Sequence, residues 1–110
     1  MKRYWDTTVL ALCGLAMTAA VADNATTVLC FTRLGEAVAE VNPFSAFLME
    51  NWGVETTMIA NALWSCVFVV WLAQLAQSRR SRFALVIMIL IILTRGYAAV
   101  HNLGIAFTAL

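Results

Sequence analysis

The stretch FALVIMILIILTRGYAAVHNLGIAFTAL, residues 83–110, decides the fold. Its first part, FALVIMILIILT, is apolar up to the closing threonine and reads as membrane helix. Arg95 follows ~18 Å along such a helix from Phe83, which is near the middle of a bilayer. A charge at that depth costs ~2.5–3.5 kcal/mol on insertion scales, so Arg95 is expected to face protein or trapped water rather than lipid. His101 and Asn102 add two polar groups further along. The whole stretch would be ~42 Å long as one helix against a hydrocarbon core of ~30 Å. It is therefore expected to tilt, to bend near Gly96 or Gly104, or to project beyond the core. The apolar ending at Leu110 suggests a terminus tucked against protein or lying in the interface.

The chain as a whole agrees with that reading. Of its 110 residues 63% are hydrophobic, 12% are charged and one is proline, far more apolar than a soluble domain. An integral membrane protein follows. The net charge of +1 comes without a basic tract interleaved with aromatics, so a nucleic-acid surface is excluded. Cys13, Cys30 and Cys66 form no CxxC pair, and the chain has one histidine. Each cysteine reads as a small buried hydrophobe rather than a disulfide partner or zinc ligand.

Upstream, Lys2 and Arg3 precede an apolar run whose AMTAAVA segment resembles a signal-peptide cleavage site after Ala20 or Ala22. The apolar pattern resumes directly past it as TTVLCF, so residues 8–33 are long enough to span. On a 3.6-residue period Ala16, Ala20, Asp23, Thr27 and Cys30 share a face of small and polar groups that lets another helix approach closely. From Arg33 to Gly53 the chain is mixed and acidic, with Glu36, Glu40 and Glu50. Asn42 before Pro43 is a helix start and Gly53 a stop. Phe44, Phe47, Leu48 and Trp52 then fall at helical spacing, which predicts a short amphipathic helix over 43–52. It would lie in the outer interface with Trp52 at headgroup level. An irregular acidic loop is the alternative.

A second span is expected over 54–77, with Asn61 and Ser65 one turn apart on one face. Arg79, Arg80 and Arg82 follow it. By the positive-inside rule this cluster is cytoplasmic, as are Lys2 and Arg3, while the acidic loop of residues 34–53 is outside. With a third span over 83–106, the expected fold is an all-α, three-span protein of the cytoplasmic (inner) membrane, N-terminus inside and C-terminus outside. Arg33 alone opposes that orientation.

Depth arithmetic then links the spans. Counting ~1.5 Å per residue from Thr8, Val54 and Phe83 puts Asp23 ~8 Å, Asn61 ~10 Å and Arg95 ~12 Å from the outer boundary, one layer on three helices. An ion pair between Asp23 and Arg95 with Asn61 nearby is predicted, because opposite charges at matched depth satisfy each other better than lipid satisfies either. Glu40, Asn42, His101 and Asn102 are expected to form a polar cluster nearer the outer surface. Arg95, Ala99, Asn102 and Ala106 share a face suited to packing against the first helix. A structural clamp fixing helix register is the plainest role for the pair; a proton or ion relay and a partner-subunit contact are the others. His101 has the unperturbed pKa of a proton shuttle, but a lone histidine in an interfacial turn is more often structural. A haem held by two histidines would need a second chain. No nucleophile with an adjacent base, HExxH, phosphate-binding glycine loop or repeat is present, so neither catalysis nor a cofactor is expected.

Together the residues DNATT, LGEAVAEVNP and YAAVHN carry a resemblance. DxxxT in a first span, a glycine and ExNP in the following loop, and an asparagine late in the last span resemble a group of small prokaryotic membrane proteins without an assigned activity. The resemblance implies a three- or four-helix membrane fold with Asp23, Glu40 and Asn42 near one another, the four-helix version requiring residues 36–52 to re-enter the membrane.

The expected function is that of a small structural or accessory subunit, packing against itself or against other membrane subunits within the bilayer. The alternatives are an oligomeric, holin-like pore, which the length suits but the apolar C-terminus does not, and a proton- or ion-coupled carrier using Asp23, Arg95 and His101.

Overall fold

The computed structural model describes residues 6–34 and 43–108. Four helices follow one another: α1 (Thr7–Leu34), α2 (Pro43–Trp52), α3 (Val54–Ser78) and α4 (Arg82–Thr108). Three of them, α1, α3 and α4, are long and apolar enough to cross a membrane. The short α2 sits between the first and second, as the Pro43 and Gly53 signals predict. Lys2, Arg3, Glu40 and Asn42 lie outside the described residues.

Helix ends follow from local chemistry. Asp6 caps α1, its Oδ1 accepting the Thr8 N–H at 2.9 Å, while the Asp6 N–H donates to Gln77 Oε1 at 2.7 Å. That second bond ties the start of α1 to the end of α3. Ser81 caps α4 by accepting the Ala84 N–H at 3.1 Å. An Ncap hydroxyl or carboxylate is worth ~1 kcal/mol. The α2–α3 junction is Gly53 at φ 87°, a left-handed conformation that glycine adopts without steric cost. The α3–α4 turn instead places Arg80 at φ 50°, a conformation unfavourable for a residue with a Cβ. Within α1, where lipid offers no hydrogen bonds, the hydroxyls of Thr18, Thr26, Thr27 and Thr32 each donate to the carbonyl four residues back at 2.8 Å.

α1 is the central strut. It packs most extensively on α4, which runs parallel to it, then on the antiparallel α3; α3 and α4 touch each other less, and α2 rests on α3. At the arginine end the core is apolar, with Val9 and Cys13 of α1 against Val69 and Leu72 of α3 and Met88 of α4. Toward the other end it becomes small and polar: Ala20, Asn24, Thr26 and Cys30 of α1 are buried, as are Ala99 and Ala106 of α4. The small-residue faces read from the sequence on α1 and α4 are therefore used against each other, and close approach of the two backbones is what they permit. α4 is one continuous helix through Gly96 and Gly104. On α2, Met49 is buried among the described side chains, while Phe47 and Trp52 of the expected interfacial face are more than half exposed. Among the described residues α2 packs on α3 alone.

The three arginines of the turn, Arg79, Arg80 and Arg82, are exposed at the end where α1 begins, and Glu50 and Glu55 are exposed at the opposite end. All three cysteines are free thiols, Cys13 and Cys30 buried and Cys66 partly so.

Ala20 and Ala99, 0% and 7% exposed, sit in the α1–α4 seam. Enlarging either to Leu is expected to cost ~1–3 kcal/mol through overpacking, read as a lower thermal midpoint in detergent. Leu93→Ala, on the exposed face of α4, is expected to stay within ~0.5 kcal/mol of the parent.

Candidate functional site

Asp23 and Arg95 meet across the α1–α4 seam, with Arg95 Nε 2.7 Å from Asp23 Oδ2. The Nε–H is not aimed along that line and makes no hydrogen bond in the strict sense, so the contact is an ion pair held by charge and proximity. The rest of the guanidinium reaches the third helix. Arg95 Nη2 donates to Asn61 Oδ1 at 2.9 Å and more weakly to the Ala20 carbonyl at 3.5 Å. Asn61 Oδ1 also accepts from Ser65 Oγ at 3.5 Å, so the two polar groups one turn apart on α3 share the site. One arginine thus fastens α4 to α1 and α3 together.

The carboxylate has a second partner. Asn102 Nδ2, two turns beyond Arg95 on the same face, lies 3.5 Å from Asp23 Oδ1, 3.1 Å from Thr26 Oγ1 and 3.2 Å from Thr27 Oγ1. Both hydroxyls spend their own protons on α1 backbone carbonyls, Thr26 on Ala22 and Asp23, Thr27 on Asp23. Their lone pairs therefore face the Asn102 amide, and the donor–acceptor sense is consistent throughout. The Asn102 carbonyl of the backbone in turn accepts a contact from Cys30 Sγ at 3.1 Å. The side chains of Arg95 and Asp23 retain 26% and 19% of their exposure, so the pair is partly covered rather than sealed.

The expected layer of Asp23, Asn61 and Arg95 is thus a single contact cluster. The expected outer cluster divides. Asn102 belongs to the Asp23 group, whereas His101 is exposed and stacks on Tyr97, the ring centroids 5.9 Å apart and the planes at 9°. Adjacent residues on a helix point ~100° apart, so one faces α1 and the other faces outward. Glu40 and Asn42 lie outside the described residues. Thr26 and the Ala20 carbonyl join the site unannounced by the sequence: the TT pair three and four residues after Asp23 is the one signal for the first, and a backbone acceptor leaves none.

Chemically, the cluster holds a net-neutral pair, two amides and three hydroxyls, with no nucleophile beside a base. Its evident capacity is to fix the register of three helices. If so, Asp23→Leu or Arg95→Met alone strands a partly buried charge and is expected to destabilise by ~3 kcal/mol, while the double variant loses much less than the sum. Thermal unfolding of the four proteins in one detergent measures this. Additive losses would mean the pair does not act as a unit.

Comparison of the chain with protein-family models, with curated proteins and with solved structures gives no match in any of the three.

Proposed function

We propose that this protein is a small structural subunit of a membrane assembly, acting through helix packing with copies of itself or with other membrane subunits rather than through catalysis. The observation that supports this reading is the second face of α1. Ala11, Gly14, Thr18, Val21 and Ala25 recur at spacings of three and four and are all exposed, flanked by Leu10 and Leu15. A Cβ built on Gly14 would meet nothing within 4 Å.

Outward faces of the other spans are bulky instead, with Leu63, Trp64 and Val67 on α3 and Leu93, Tyr97 and Val100 on α4 each more than 60% exposed. Lipid chains pack readily on such side chains. They gain nothing from a smooth stripe, whereas another helix gains close backbone approach. The membrane charges fit the same role, because Asp23 and Arg95 neutralise each other inside the fold and require nothing from a transported ion. For orientation, the arginine turn argues for a cytoplasmic end shared by the N-terminus and the α3–α4 turn, with the C-terminus outside and the cytoplasmic (inner) membrane as the location.

Purification at native level in mild detergent tests the reading. A larger stoichiometric complex or a defined oligomer is expected with the parent chain, and Gly14→Leu combined with Thr18→Leu is expected to release a folded monomer. A parent chain that elutes as a monomer, or a complex unaffected by the double variant, overturns it.

A further inference from the structure

α3 and α4 meet each other less than either meets α1, and a cleft of about 310 Å³ lies between them. Ala20 of α1 is at its boundary, Trp64, Ser65 and Phe68 line it from α3, and Thr94 and Arg95 line it from α4. The size is at the lower end of small-molecule sites. Arg95 is the group that gives the cleft its chemistry. Nε is against Asp23 and Nη2 is taken by Asn61 and Ala20, which leaves Nη1 with no hydrogen bond among the described residues. Two strong donors on a guanidinium at bilayer depth are costly to leave unmade. Thr94 donates to its own helix at 2.7 Å, and its lone pairs receive no hydrogen bond from Arg95 among the described residues.

We propose that this cleft binds an uncharged, apolar molecule through a carbonyl oxygen, the oxygen accepting from Arg95 Nη1. An anion is disfavoured: Asp23 already neutralises Arg95, so a second negative charge would leave the site with a net charge in a low-dielectric setting. A neutral acceptor completes the guanidinium and adds no charge. The walls favour a flat or chain-like body, because Trp64 is 71% exposed beside Phe68, and aromatic faces pack well on rings. Two membrane molecules have this chemistry, the ring carbonyl of a prenylated quinone and the ester carbonyl of an acyl lipid. The site lies on the opposite side of the fold from the α1 stripe, and its occupancy does not depend on the assembly proposed above.

The test uses the full chain with Trp64 as the sole tryptophan (Trp5, Trp52 and Trp71→Phe), in detergent, titrated with decylubiquinone. Saturable quenching of Trp64 is expected, with half-saturation at least tenfold weaker after Thr94→Phe or Ser65→Leu, two fillings of the cleft that leave the ion pair in place. Methyl oleate separates the sources: competition at similar concentration assigns the site to ester carbonyls, and failure to compete assigns it to the quinone ring. Quenching that rises linearly with probe, or that is the same in the parent and both filled variants, overturns the proposal.

Discussion

A guanidinium at the midpoint of a membrane helix must be satisfied by protein, and the arrangement of the other helices follows from how Arg95 is satisfied. Its position on α4 demands an anion at matching depth, which Asp23 supplies from α1, and a further acceptor, which Asn61 supplies from α3. Three helices meet at one side chain. A slip of any one by a single residue would rotate its polar group by ~100° and move it ~1.5 Å along the axis, enough to break the contact. The apolar contacts at the arginine end have no such selectivity, since lipid is as good a partner for Leu72 or Met88 as protein is. Polar contacts therefore set register, and small residues set distance.

The division of α1 into two small-residue faces gives the fold its asymmetry. One face, from Ala16 and Ala20 to Cys30, is filled by α4 and carries the polar network. The other, from Ala11 through Gly14 to Ala25, looks outward. Both have the composition of a packing surface, and only one has a partner among the described residues. α4 shows the complementary case, with Ala99, Asn102 and Ala106 turned inward and Leu93, Tyr97 and Val100 outward. Its outward side is what a lipid-facing helix presents.

Much of this was legible in the residues. Hydrophobic length gave the three spans, and the Pro43 and Gly53 pair gave the bounds of α2. Counting from the ends of the spans brought Asp23, Asn61 and Arg95 to one depth, because a membrane fixes helices nearly parallel and makes sequence position a coordinate. The coordinate around the helix was less secure. His101 and Asn102 share a depth but not a direction, so a cluster defined by depth alone wrongly joined them. On α2 the aromatic spacing marked Phe47 and Trp52 as an interfacial face, and they are exposed; it left unmarked the buried Met49. The α3–α4 cleft had no signal, since it arises from the splay of two helices about a third. No periodicity within a single segment encodes such a splay.

The central claim is that Arg95 and Asp23 are in contact within the bilayer. Solid-state NMR on the full chain in lipid, measuring the dipolar coupling between the labelled Arg95 guanidinium nitrogens and the Asp23 carboxyl carbon, tests it directly. A coupling corresponding to a separation of ~4 Å or less is the result this structure predicts. No measurable coupling, with both side chains visible and rigid, would contradict it and with it the register of all three spans.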